Sequence, residues 1–459
     1  MGGGSQDANV SNGFRLLLNI ECFVHIRHSW DIHACSNMQQ RFDSTAMHKT
    51  FIIFSVILLV TIVRIQALQC MAKVVEEGEN SKSGKLDVVH WYVLFKPAGS
   101  TKLKGFASKE IIVTDISAKD DGNPLFATLQ PEAPETLSFL MFNDQLPTSP
   151  GLKTGGSSKG IVAFDMSATN GFFLAHTVPG FPEVEDYKWP PHLTKHAHLF
   201  VCVSTNDNTV NILNNLAYAS PLVYASKVGK ENNEADGEVK DKINEDADGG
   251  IEDEDINKDS KKEVGEVAGG INENPNDGKG NENIKKDINE AVGKLTKGEI
   301  NENSESRGFL IEEEEKPPVA VILKQQSLNR DLASLVAEEL EYPLVVFSGT
   351  PGARFSRLDD DCNSKFSIRN IVAPVTVDDS EWAPYAGGAS WAVNVDEEVF
   401  CLLSNGRTIR AEMESGMAVC LRNKNLTRYF YDETMNKCGT SVKIDDEEWD
   451  QFSDAQEFF

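Results

Sequence analysis

The tract from Gly229 to about Lys316 constrains this chain more than any other feature, because a segment of its composition cannot build a core. It has no Cys, Trp or Tyr and is dominated by Glu, Asp, Asn, Lys and Gly. Isoleucines recur at 243, 256, 271, 288 and 300 within Ile-Asn-Glu or Ile-Asn-Lys triplets. Their spacing is too irregular for a solenoid, whose stacking needs a fixed period. So little apolar surface cannot offset the entropy of ordering the backbone, and the composition predicts a disordered acidic insertion over 229–316. Its role is either that of an acidic interaction tract for a protein partner or that of a tolerated loop. Between Lys230 and Glu315 stand 27 acidic and 12 basic residues, more than half of the net charge of −27. An acidic balance of this size repels phosphate and argues against nucleic-acid binding through a basic patch.

Upstream, Phe51 to Val63 is an apolar run preceded by Met47, His48 and Lys49 and followed by Arg64-Ile65-Gln66-Ala67. A basic start, a short apolar stretch and a small residue at the exit define a signal peptide over 47–67. The run is shorter than the roughly 20 residues that a membrane span needs. On this reading translation starts at Met47, residues 1–46 are an upstream extension, and the mature protein begins near Leu68 and leaves the cell with no membrane attachment. A signal anchor is the alternative. The chain has eight cysteines but no CxxC pair, which disfavours a zinc ribbon or a thioredoxin-type site. Cysteines that follow a signal peptide are expected in structural disulfides.

Two globular parts flank the tract, 68–228 and 317–459. In the first, Val88 to Lys96, Leu137 to Phe142, Gly160 to Asp165, Gly171 to Ala175 and Leu199 to Ser204 read as strands, several apolar enough to be covered on both faces. In the second, Val319 to Leu323 and Pro343 to Phe347 read as strands. Between them a helix places Leu332, Leu335, Val336 and Leu340 on one face. Strand, helix, strand in both parts predicts an α/β architecture of two similar lobes.

Several separated segments together resemble the deoxyribonuclease II family, in the family's order. They are Ala67-Leu68-Gln69-Cys70, His90 to Pro97 (HWYVLFKP), Phe139 to Gln145 (FLMFNDQ) followed by Pro147, Gly156 to Asp165 (GSSKGIVAFD), Gly171 to Pro182 (GFFLAHTVPGFP) and Asp378 to Trp382 (DDSEW). The resemblance implies two pseudo-symmetric phospholipase D-like lobes, each a mixed sheet flanked by helices. It also implies metal-independent acid hydrolysis of DNA, with no cofactor and no metal, in a secreted or lysosomal protein. In the family each lobe supplies a His-x-Lys motif to one cleft: one histidine attacks phosphorus, the other protonates the leaving oxygen, and the lysines neutralise phosphoryl charge.

This chain departs from that pattern. The first motif reads Ser157-Ser158-Lys159, keeping the lysine and losing the histidine. The second is read at Asp379-Ser380-Glu381, with carboxylates at both positions. His176 is retained, either as a phosphate contact or as a histidine holding the Val178-Pro179 turn. A serine without an adjacent base is neither nucleophile nor general acid, and carboxylates repel a phosphodiester. The resemblance further implies disulfides Cys70–Cys202 and Cys362–Cys420. A third family disulfide is lost as Ala383 and Val393, which leaves Cys401 and Cys438 able to bridge each other. His192 and His196 have helical i, i+4 spacing near His198, but Pro190-Pro191 precedes them and a strand follows, so zinc ligation is disfavoured. Asn425-Leu426-Thr427 is a glycosylation sequon. Three functions compete: a catalytically impaired family member, an active acid endonuclease with a rearranged site using Lys159 and His176, and a secreted acidic interaction protein that uses the nuclease fold as a scaffold.

Overall fold

The computed structural model describes residues 68–75, 84–129, 137–153, 156–165, 170–183, 187–205, 208–229, 281–299, 306–311, 318–349, 357–372, 374–377, 380–382 and 387–431. The leader (47–67), the extension before it, Asp378, Asp379, Ala383 and Cys438 lie outside these residues, as do 230–280 of the acidic tract.

Seven strands form the first sheet: β1 (Trp91–Lys96), β2 (Lys104–Ala107), β3 (Leu137–Asn143), β4 (Gly160–Asp165), β5 (Gly171–His176), β6 (His198–Ser204) and β7 (Leu222–Lys227), in the order β7-β3-β4-β5-β6-β1-β2. Seven more form the second: β8 (Ser306–Ile311), β9 (Val319–Lys324), β10 (Leu344–Phe347), β11 (Ile368–Asn370), β12 (Ser390–Asn394), β13 (Val399–Leu403) and β14 (Gly416–Arg422), in the order β11-β10-β12-β13-β14-β9-β8. The five central strands correspond in order and connection, β3-β4-β5-β6-β1 with β10-β12-β13-β14-β9, whereas the edge strands join the chain at different points. Every pairing in the first sheet is antiparallel, and only β10 with β11 is parallel in the second, so the mixed character expected of both sheets holds for one. Met71–Val75, Gly84–Val88 and Ile111–Ile112 make a separate three-stranded sheet.

The near-continuous apolar strands follow from burial on both faces. In β1, Trp91, Val93 and Phe95 enter a core shared with the second sheet, whereas Tyr92 and Leu94 enter a core on the opposite face. The shared core takes Val321, Leu323, Phe347, Trp391, Phe400 and Val419 from the second sheet, so the sheets pack face to face. Six helices are used below: α1 (Pro124–Thr128), α2 (Thr209–Leu216), α3 (Asn281–Thr296), α4 (Leu332–Leu340), α5 (Ile409–Glu412) and α6 (Lys424–Tyr429). Helix α4 is the amphipathic helix expected from the sequence. Asp331 caps it, and Leu332, Leu335 and Val336 bury against the outer face of the second sheet.

Three expectations are corrected. The acidic tract contains a packed helix: α3 lies within it, and Ile288, Ala291, Val292 and Leu295 join the shared core beside Ile212, Leu213 and Leu216 of α2. The i, i+3, i+4, i+7 spacing of these four residues gives an apolar stripe, which the overall acidity of the tract concealed. Strand β8 also begins before residue 317 and pairs along its whole length with β9, so the second lobe starts earlier than expected. The disulfide framework differs as well. Cys70 is bridged to Cys202, but Cys420 is bridged to Cys401 and not to Cys362. The reason is register: Cys401 on β13 and Cys420 on β14 are direct cross-strand partners, with Cα atoms 4.0 Å apart. Cys362 is disulfide-bonded elsewhere, and Cys401 is not available to Cys438.

Candidate active-site cleft

The two lobes can be aligned residue by residue through their strand registers. Strands β1 and β9 each end in a buried lysine, Lys96 and Lys324. Lys96 Nζ donates to the carbonyls of Pro97, Ser100 and Thr194 at 2.8, 2.8 and 2.9 Å. Lys324 Nζ donates to those of Ala411, Glu412 and Glu414. Burial pulls both ammonium groups down to a pKa of about 8. If these lysines are taken as equivalent, the pairings carry the correspondence across each sheet: Tyr92 with Ala320, Cys202 with Cys420, Ala175 with Leu402, and Gly160 with Trp391. Extending it one turn outward, Ser157-Ser158-Lys159 corresponds to Gly388-Ala389-Ser390.

Contacts between the lobes agree with this alignment. The Ser157 amide donates to Ser415 O at 3.0 Å, and Gly388 forms a parallel bridge with Ala197. By the same register Ser415 corresponds to Ala197, so each motif touches the other lobe at the same place. The expected second motif lies elsewhere. Asp379 falls outside the described residues, and Glu381 stands in a short ribbon of Val375–Val377 and Ser380–Trp382, outside the seven-stranded sheet. The Trp382 ring that follows it packs on Phe95 with centroids 4.1 Å apart. A tryptophan closes both candidate segments, Ser380-Glu381-Trp382 and Ala389-Ser390-Trp391, so the sequence pattern alone did not separate them.

The first motif is buried. Ser157, Ser158 and Lys159 are 1%, 0% and 5% exposed. Lys159 Nζ donates to Ser157 O at 3.0 Å and pairs with Asp144 Oδ2 at 2.8 Å. Ser157 Oγ donates to Glu414 Oε2 at 2.7 Å, across the lobe interface, and Glu414 Oε1 accepts from Arg410 Nε at 2.8 Å. Glu414 lies 257 residues from Ser157 in the chain, and no local pattern could have linked them.

His176 ends β5 and is fully buried. Its Nδ1 accepts from the Val178 amide at 3.2 Å, the contact that the turn-holding role requires, while Nε2 has no hydrogen-bond partner among the described residues. Burial, reinforced by the Lys159 charge, lowers its pKa to about 3. Asn143 fixes the same turn, donating to Val178 O and Phe181 O at 3.1 and 3.0 Å. His198 is buried nearby and held well below the usual imidazole range, first by burial and then by Lys96 and the neighbouring histidines. His192 and His196 lie in and just after a 3-10 turn, Pro191–Lys195, so their spacing does not bring them to one helical face. Asn425 is exposed in the first turn of α6, and the Thr427 hydroxyl donates to Asn423 O.

At the second position no side chain is present. Gly388 has φ of +87°, and a Cβ built on it would stand 1.8 Å from the Ala197 carbonyl oxygen. Ser390, which corresponds to Lys159, is buried, and its Oγ accepts from the Gly349 amide at 3.0 Å.

A family model for deoxyribonuclease II matches residues 82–439, which includes every strand of both sheets and the whole of this cleft. The chain belongs to the deoxyribonuclease II family. Among curated relatives it is 27% identical to Plancitoxin-1 of Acanthaster planci over 205 residues, 40% of this chain and 54% of that protein. It is 30% identical to Cell-death-related nuclease 7 of Caenorhabditis elegans over 130 residues, 25% of this chain and 34% of that protein. To Deoxyribonuclease-2-beta of Mus musculus it is 24% identical over 135 residues, 26% and 38% of the two chains. The chain thus spans about half the length of the first of these relatives and about a third of the others.

Proposed function

We propose that this protein is a secretory-pathway deoxyribonuclease II-like protein that retains the two-lobed, phospholipase D-like body of a DNA-directed family and has lost the histidine pair that cuts. Family membership and the nucleases among its relatives support DNA as the ligand class. The leader over 47–67, the bridged cysteines and the exposed Asn425 are consistent with export to the cell exterior or the lysosome, with glycosylation at Asn425.

The observation that carries the loss of catalysis is Gly388. Its counterpart in the first lobe is Ser157, and in a working site both positions would hold histidines that share nucleophilic attack and proton transfer. The Gly388 backbone lies against Ala197 in a left-handed conformation, so no imidazole fits there without moving the chain. The conclusion does not depend on which segment represents the second motif. Asp379-Ser380-Glu381 contains no histidine, and neither does Gly388-Ala389-Ser390. His176 does not replace the pair: held neutral at pH 5 it is no general acid, and its ring is fully buried with Nδ1 engaged by the Val178 amide. Removing one member of a paired site costs roughly a thousandfold or more, and the second loss adds little to a reaction already stalled. Lys159 remains as a phosphate-binding remnant, neutralised by Asp144.

A zymogram of DNA at pH 5 in chelator, run beside an intact family member, tests this reading. The protein should leave no cleared band at loads where the intact enzyme clears the gel. Clearing of comparable strength would mean that a rearranged site cuts DNA.

A further inference from the structure

We propose that Glu414 is the specificity-determining residue that closes the first half-site to phosphate, by placing the chain's own carboxylate where an anion would bind. This rests on the reading of Ser157 to Lys159 as a remnant half-site. The groups there that suit a phosphoryl oxygen are the Ser157 hydroxyl and the Lys159 ammonium, and each is engaged by an internal carboxylate. Ser157 Oγ donates to Glu414 Oε2 at 2.7 Å, and Lys159 Nζ pairs with Asp144 Oδ2 at 2.8 Å. Asp144 comes from the same lobe as the lysine. Glu414 comes from the other lobe, on the loop between α5 and β14, and its backbone is fixed: its own carbonyl and those of Ala411 and Glu412 accept from the buried Lys324, and the Ser415 carbonyl next to it accepts from the Ser157 amide.

Access also converges on Glu414. A cavity of about 520 Å³ opens beside the motif between the lobes, lined by Gly156, Ser220, Leu295, Arg410, Glu414 and Ser415. Glu414 lines this cavity together with Glu299, and Ser157, 1% exposed, lies behind the Glu414 carboxylate that accepts its hydroxyl. Arg410, the cation among these lining residues, pairs with Glu414 Oε1 at 2.8 Å and is therefore engaged by an internal charge. Removing the Glu414 charge has two effects of the same sign: repulsion at the Ser157 hydroxyl ends, and the Arg410 guanidinium is released into the cavity with a fork that suits a phosphate.

Glu414→Gln keeps the shape and can still accept from Ser157. Binding of a fluorescent 12-nucleotide single strand and of inorganic phosphate is measured at pH 5.5 for the parent, E414Q, and E414Q with Arg410→Gln, after thermal melting has shown that each is folded. E414Q is expected to bind the strand about tenfold more tightly at low salt. Its log–log salt slope should steepen by about 0.7, the value for one added phosphate contact on a single strand. The double variant should return to the parent. If E414Q gains phosphate affinity while no form binds the strand, the Glu414 assignment stands and the nucleic-acid reading fails. If E414Q gains affinity for neither probe, the assignment is overturned. Arg410→Gln alone, at a side chain 74% exposed, keeps the question decidable should E414Q not fold. It leaves Glu414 less neutralised and should bind phosphate no better than the parent, and tighter binding would contradict the proposal.

Discussion

His176 and Gly388 show how the surroundings of one position decide what chemistry it can support. A histidine whose pKa falls from 6.5 to about 3 on folding is neutral in the native state and protonated in the unfolded chain below pH 6.5. Its contribution to stability is therefore fully present above pH 6.5 and is lost as pH falls toward 3, at about 1.4 kcal/mol per pH unit while only the unfolded form binds the proton. His198 is shifted in the same direction by the same burial. The His176 imidazole resonances should accordingly keep their neutral shifts down to pH 4 in the folded protein, and protonation above pH 5 would contradict the buried environment. The retained Lys159 and His176 and the missing histidine at Ser157 could all be read from sequence, because they sit in short motifs. Gly388 and Glu414 could not, since one needs strand register and the other needs two distant loops brought together. A weak signal did exist in WYVLFK and VAVILK, two apolar runs that each end in the lysine anchoring the lobe alignment.

Among the elements, α3 and the Cys401–Cys420 bridge depart furthest from sequence expectation, for opposite reasons. The composition of the acidic tract hid a four-residue apolar stripe, while the family's cysteine order suggested a pairing that cross-strand register replaces. Val292→Asp on α3 would place a charge in the shared core and should cost about 3 kcal/mol or more in a urea unfolding experiment. A change under 0.5 kcal/mol would mean that α3 is not docked. Amide protons of 288–296 should correspondingly exchange slowly. Non-reducing peptide mapping should recover Cys401 linked to Cys420, and recovery of Cys362 linked to Cys420 would restore the sequence-based pairing. The strands at 91–96, 137–143, 160–165, 171–176 and 198–204 were legible because burial, on both faces in four of them, keeps them largely apolar.

At the scale of the whole molecule, two sheets whose five central strands match in order share one core, and the cleft is where their corresponding loops meet. Neither lobe can bury its inner face alone, since Trp91, Val93 and Phe95 of one and Phe347, Trp391 and Phe400 of the other lie in the same cluster. Retention of this body explains why family resemblance extends over most of the chain although its motifs are altered. On the proposed reading fold and catalysis are separable, because packing depends on the strands whereas the family's chemistry depends on its histidine motifs. The most direct test is the rate of plasmid nicking at pH 5 in chelator, compared among the parent, Ser157→Ala and an intact family member. The parent should nick at least a thousandfold more slowly than the intact enzyme, and Ser157→Ala should leave that residual rate unchanged. A parent rate within tenfold of the intact enzyme that is abolished by Ser157→Ala would contradict the account.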